Sequence, residues 1–182
     1  MSRKNKFLVG VSPLGLLALS ACGGSTTNYS AASGKAQSGP LQNATVFLDY
    51  NKDGLYTTGV DSAKVFTDEF GAYSITPTQA TYNVVVTTDT STTDSTINGV
   101  VSGLTLVAPK GADGAMTMVT PATTMITSMM AADATLTSAA AMANVATALG
   151  FDSTKYNPLT FDAFADTSAM LAADKLVYDL LA

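Results

Sequence analysis

The chain has no histidine, no tryptophan and one cysteine, Cys22, and of its fourteen acidic residues only Glu69 is a glutamate. Each scarcity removes a class of chemistry. A lone thiol cannot close an internal disulfide, and without histidine it lacks the usual base that would make it a nucleophile. The same absences take away the ordinary ligand sets of zinc, haem and iron–sulfur centres. No G-x-S-x-G occurs, and lysines are the only nitrogen bases left for a serine, so catalysis is not expected. Positive charge is also scarce, at nine Lys/Arg against fourteen Asp/Glu. With no basic patch to neutralise phosphates, nucleic acid is not an expected partner.

What is present begins with the neighbourhood of Cys22. Arg3, Lys4 and Lys6 precede an apolar run over residues 7–21, the order of a secretory signal. The run is fifteen residues long and contains Pro13, short of the roughly 20 apolar residues that cross a bilayer core. Leu19, Ser20, Ala21 and Cys22 resemble the lipobox of bacterial lipoproteins. That resemblance implies that Cys22 is acylated on sulfur, that the chain is cut before it, and that the new amino terminus is anchored in a membrane. Several acyl chains on one residue give stable anchoring where one gives marginal binding. Gly23, where the inner-membrane signal would be an aspartate, favours the outer membrane of the cell envelope over the inner one. The alternative is an ordinary cleaved signal whose small-residue site includes a cysteine. Cleavage would leave six basic residues against fourteen acids, a net charge of −8.

Composition divides the rest. Residues 22–39, rich in Gly, Ser, Thr and Ala, read as the acylated cysteine followed by a flexible tether. Residues 40–110 carry strand signals: "ATVFLDY" with Val46 and Leu48 on one face and Phe47 on the other, "AKVFT" and "AYSIT" flanking "DEFG" as the short loop of a hairpin, "TYNVVVTT" with Tyr82, Val84 and Val86 in phase, and "LTLVAP". Short strands at close spacing predict a small antiparallel β-sandwich. Residues 111–182 predict three short helices. Thr120 and Pro121 cap the first, with Met125, Ile126, Met129 and Met130 on one face. Thr137 and Gly150 bound the second, with Met142, Val145 and Leu149 as its stripe. "DTSAMLAADKLVYDLLA" gives the third, which reaches Ala182 without a stop signal, as in a piece of a longer chain or a helix that frays. The expected fold is therefore mixed β plus α.

One constellation points to a ligand. "DYNKDGLYTTGVD" places Asp49, Asn51 and Asp53 at alternate positions, Gly54 sixth, and the carbonyl of Leu55 seventh, the opening of a calcium loop. The twelfth position is Val60 rather than a bidentate glutamate, so Asp61, with Asp68 from "TDEFG", would have to close the cage. A turn using Asp, Asn and Gly for its geometry alone reads equally from these residues.

"GPLQNATVFLDYNKDG", "TDEFGAYSIT" and "TYNVVV", over residues 36–88, resemble the transthyretin-like and carboxypeptidase-regulatory-like modules of surface proteins, with Thr67, Asp68, Gly71 and Tyr73 carrying the turn. This resemblance implies a prealbumin-like sandwich that serves as spacer or binding unit without catalysis. Asp49, Asn51 and Asp53 resemble the calcium-binding insertion of such repeats. "LTLVAPKGADGAMTMVTPATTMITSMMAA", "ANVATALGF" and "YNPLTFDAFA", over residues 104–165, resemble a segment of bacterial adhesin-like proteins. The expectation is a lipid-anchored, non-catalytic structural or binding module facing an extracellular or periplasmic protein or glycan. The alternative is a carbohydrate- or peptide-binding accessory domain of a larger surface protein or hydrolase, with Tyr50, Tyr56 and Phe70 as its stacking platform.

Overall fold

The computed structural model describes residues 28–164, so Cys22, its signal and the third expected helix lie outside the described residues. The chain forms ten strands and then two helices: β1 Ala32–Ala36, β2 Leu41–Gln42, β3 Thr45–Asp49, β4 Val65–Phe66, β5 Ala72–Ile75, β6 Asn83–Thr87, β7 Thr93–Asp94, β8 Gly99–Val100, β9 Thr105–Pro109, β10 Met116–Val119, α1 Pro121–Ala132 and α2 Ser138–Leu149. They make a mixed β and α fold with sheets ordered β10-β1-β5, β4-β3-β6-β9 and β2-β7-β8. All ladders are antiparallel except β1 with β10.

Alternation along the strands places the core. Val46 and Leu48 of β3, Val84 and Val86 of β6, and Leu106 and Ala108 of β9 join Ala32 and Ala36 of β1, Tyr73 and Ile75 of β5, and Val119 of β10 in one buried cluster. A period of two sends every other residue to the same face, so both larger sheets feed this cluster. The Tyr73 hydroxyl donates to the Thr117 carbonyl across the cluster at 2.8 Å, and burial pushes its pKa well up.

Three expectations change here. Residues 32–39 are not tether: Ala32–Ala36 is the central strand of its sheet, and the Gln37 amide donates to Val119 O. Small residues suit this place, because a Cβ on Gly34 would collide with the Thr117 carbonyl. The strand layer also runs past residue 110, since β10 lies beside β1. Finally, "AKVFT" and "AYSIT" flank a real turn, closed by the Asp68 amide to Ala72 O and the Gly71 amide to Asp68 O, but β4 and β5 leave it for different sheets. Gly71 has φ +75°, and a Cβ there would lie 2.5 Å from Ala36 O, so only glycine fits the crossing.

The helices begin and end where the sequence places them. Thr120 accepts from the Thr123 amide while Thr123 Oγ1 accepts from the Thr120 amide, Pro121 opens α1, Thr137 caps α2, and Gly150 closes it with φ +77°. Ile126, Ala141 and Val145 form a second cluster with Met129, Met130, Met142 and Leu149 beside it. Met125, expected on that face, is exposed. α1 lies along β9, where the Val107 amide donates to Thr124 Oγ1 at 2.9 Å and Thr127 Oγ1 donates to the Val107 carbonyl.

The registers also define two ends. Ala32 pairs with Ile75 at the end where the chain enters, and β3 delivers Asp49 there opposite Asn83. The Tyr50 hydroxyl, accepting from the Thr78 amide, belongs to the same end. At the far end, Ala36 meets Gly71, and Gly39 and Pro40 meet the β7–β8 hairpin.

Candidate functional site

The aspartate-rich loop leaves β3 at Asp49 and returns at Ser62, whose amide donates to Leu48 O and whose hydroxyl accepts from the Leu48 amide. Asp49 is wholly buried. Its Oδ1 accepts from the Lys52 amide at 2.6 Å and its Oδ2 from the Gly54 amide at 2.8 Å. Lys52 and Gly54 both have positive φ, so the sharp turn expected at the sixth position is made. Asp53 accepts from the Leu55 amide and from Asn51 Nδ2, and Asp61 accepts from the Tyr50 and Thr57 amides. The loop thus folds around its own carboxylates, and five backbone amides supply what a cation would supply.

The residue types and the sixth-position turn suit calcium, and a carboxylate oxygen holding one amide keeps a second lone pair. Among the described residues, however, no three acidic side chains are gathered as a metal would gather them. Asp68 is not brought to this loop. It sits at the opposite end of β3, where the Thr67 amide donates to Ala44 O, and its Oδ1 accepts from the Phe70 and Ala72 amides. Five strand residues span roughly 13 Å between the two places.

Tyr50, Tyr56 and Phe70 do not share a surface. Tyr50 packs edge-on against Tyr82 with ring centres 6.3 Å apart. Tyr56 packs edge-on against Phe47 at 5.3 Å, and Lys64 Nζ lies 3.9 Å above its ring. Phe47 alternates with the core residues Val46 and Leu48, so Tyr56 lies on the outer face of its sheet while Tyr50 borders the core. Phe70 stands exposed on the β4–β5 turn at the far end.

Two further acidic residues hold the fold. Asp94 Oδ2 accepts from the buried Gly39 amide at 3.0 Å, and its Oδ1 accepts from the Thr96 amide and hydroxyl at 2.8 and 2.6 Å. Burial opposes its charge, but the Thr96 hydroxyl and the amides of Gly39, Thr96 and Ile97 outweigh that and hold its pKa below the usual value. Asp162 accepts from Lys35 Nζ at 2.6 Å, Gln37 Nε2 at 2.7 Å and the Phe164 amide at 3.0 Å. Burial again opposes ionisation, and the Lys35 and Gln37 side chains overcome it, so its pKa is also lowered. Aspartate followed two residues later by Ser or Thr, as in "DST" at 94–96, is the local signal for the first. The second joins residues 127 apart in sequence and has none. No helix among the described residues is long and apolar enough to cross a membrane. The chain matches no family model, no curated protein and no solved structure.

Proposed function

We propose that the chain is an envelope-tethered, non-catalytic binding module built on a small prealbumin-like β-sandwich, with Cys22 acylated and the chain held at a bacterial membrane, the outer one in a cell that has two. One observation carries the reading: the chain enters the fold at one end, and two neighbouring loops at the other carry exposed apolar side chains, as Leu55 and Val60 of the aspartate-rich loop also do. Phe70, Ile97 and Val100 are 61%, 65% and 59% exposed, on the β4–β5 turn and the β7–β8 hairpin. The turn meets β1 at Ala36 and the hairpin meets Gly39 and Pro40 just after it, a full strand away from Ala32. Ala32 lies ten positions after Cys22, so even fully stretched the chain between them reaches ~35 Å. An acyl anchor at Cys22 would keep the Ala32 end near the headgroups and turn the far loops outward.

Calcium at Asp49, Asn51, Asp53, the Leu55 carbonyl and Asp61 belongs to the proposal as a stiffener of the Ala32 end, competing with the loop amides and therefore weak, about 10⁻⁴ to 10⁻³ M. Labelled palmitate fed to a bacterial host expressing the full chain is expected to enter the protein and to be lost in Cys22→Ser. Label absent from the native chain, or retained in the serine variant, would remove the tether.

A further inference from the structure

Beside the aspartate-rich loop, at the Ala32 end, the structure leaves a cavity of about 430 Å³, within the range of ~300–1,000 Å³ that holds small molecules. Its walls are gathered from across the sequence: Asn83 at the start of β6, Pro109 at the end of β9, Met130 and Ala131 in the last turn of α1, Leu136 in the connection to α2, and Lys52 of the loop. Its polar groups are unspent. Lys35 and Lys110 pair with Asp162 and Asp113, and Lys64 lies over Tyr56, but the Lys52 ammonium has no partner among the described residues, and neither has the Asn83 side-chain amide. The root of the Lys52 side chain is fixed, because its backbone amide donates to buried Asp49 at 2.6 Å. Lys52 is held there at φ +62°, a conformation it shares with Asn43 and Asn98 and one that suits asparagine better than lysine. The opposite sign belongs to the end of α1. The Asp133 amide answers the Met129 carbonyl, whereas the carbonyls of Met130 and Ala131 accept nothing among the described residues. A helix ends in partial negative charge, and α1 has no basic residue in its last turn to balance it. The rest of the wall is apolar: Pro109 is buried, and half-buried Met130 and Leu136 also pack against the second cluster.

We infer that this cavity binds a free amino acid with an apolar side chain. The zwitterion matches both signs: its carboxylate goes to the Lys52 ammonium and the Asn83 amide, and its ammonium to the carbonyls of Met130 and Ala131. Its side chain lies on the wall of Pro109, Met130 and Leu136. A simple anion would answer Lys52 but bring negative charge to the end of α1, and a simple cation would do the reverse. Packing accounts for Met130 and Leu136, which border the second cluster. It does not account for an ammonium, a side-chain amide and two carbonyls left open around one hollow.

The inference goes beyond the tethered module, and its measurement does not depend on the anchor: Cys22→Ser should abolish palmitate labelling and leave the binding unchanged. The full chain in detergent, with isotope-labelled methionine methyl groups and a chelator to keep calcium from Asp49, is titrated with L-leucine and followed by nuclear magnetic resonance. A ligand this small in a solvent-open cavity binds at a Kd of ~1 mM. The Met130 signal, assigned by its loss in Met130→Leu, is expected to shift while that of buried Met118 stays in place. Lys52→Gln, which keeps the stem and removes the charge, should weaken the binding about tenfold, and Lys52→Arg should restore it. Isocaproate, which lacks only the ammonium, isopentylamine, which lacks only the carboxylate, and L-alanine, which lacks the apolar body, should each bind about tenfold more weakly than leucine. Circular dichroism confirms folding of each variant. No shift at Met130 with leucine overturns the inference and leaves a solvated hollow. So does a shift that Lys52→Gln leaves intact, or one that isocaproate, isopentylamine or alanine reproduces at the same concentration, since each would show that one pole or one wall suffices.

Discussion

Asp94 offers the sharpest test of how the far end is held. Its carboxylate joins the turn after β1, through the Gly39 amide, to the β7–β8 hairpin, through the Thr96 amide and hydroxyl. In Asp94→Ala, exposed Thr96 turns its groups to water, but the buried Gly39 amide cannot follow. A hydrogen bond to a charged acceptor contributes about 1.5–3 kcal/mol and a stranded buried donor costs about 1–3 kcal/mol, so with overlap between them the loss is about 3 kcal/mol. For a fold of this size that is roughly a 10 °C fall in Tm. Asn is no rescue, because its amide brings two donors to a place that already holds three. With no tryptophan in the chain, urea unfolding is followed by far-ultraviolet circular dichroism. Asp89→Ala is the control: Asp89 makes the same local bonds to Ser91 in an exposed turn and bridges nothing distant. The folded pKa of Asp94 is lowered, so its contribution is present above the unfolded carboxylate value near ~4 and fades as pH falls below it. Native protein should lose stability between about pH 5 and 3 more steeply than Asp94→Ala. Equal midpoints for Asp94→Ala and Asp89→Ala, or parallel pH profiles for native and Asp94→Ala, would refute the clamp.

Gly71→Ala places a Cβ against Ala36 O at positive φ and should lower stability by more than the ~1 kcal/mol of an ordinary glycine replacement, read as an earlier urea midpoint at unchanged slope. Asp162→Ala strands the Gln37 amide and releases Lys35, with an expected loss of about 2 kcal/mol; hydrogen exchange at the Met118 amide, which donates to Leu159 O, should quicken with it. Calcium at 10 mM should stabilise the chain by about 1.4–2.7 kcal/mol if its Kd lies in the weak range, an effect absent in Asp61→Ala. No calcium shift in the native chain would remove the metal from the proposal.

The sequence marked local features well and long-range ones poorly, for physical reasons. β3, β6 and β9 are visible because Val46, Leu48, Val84, Val86 and Leu106 alternate with residues of the opposite face. The helix starts are visible because capping is a one-turn affair, settled by Thr120, Pro121 and Thr137. β1 is hidden because "ASGKA" carries no large apolar residue: its place at the centre of a sheet demands smallness at Gly34, and smallness reads as linker. The two-residue strands β2, β7 and β8 are too short for a period to show. In the aspartate-rich loop, the turn at Gly54 was legible and the fate of the carboxylates was not. The alternating side-chain oxygens of Asp49, Asn51 and Asp53 announce a demand for partners, and a list of residues does not say whether amides or a cation answer it.

The placement of α1 settles how strands and helices depend on each other. β9 is the last strand of its sheet, and a bare edge invites pairing with another chain. At Val107 the outward amide and carbonyl are taken by the hydroxyls of Thr124 and Thr127, one turn apart on α1. A helix thus stands where a fifth strand would go, and its threonines, poor helix formers by propensity, earn their positions by serving the sheet. The same helix is fixed at its start by Thr120, directly after β10, which pairs with the first strand of the fold. Its far face meets α2 through Ile126, Ala141 and Val145. A cut at residue 110 would therefore take β10 from one sheet and uncover the edge of the other, so the strand and helix segments that composition separates are one structural unit.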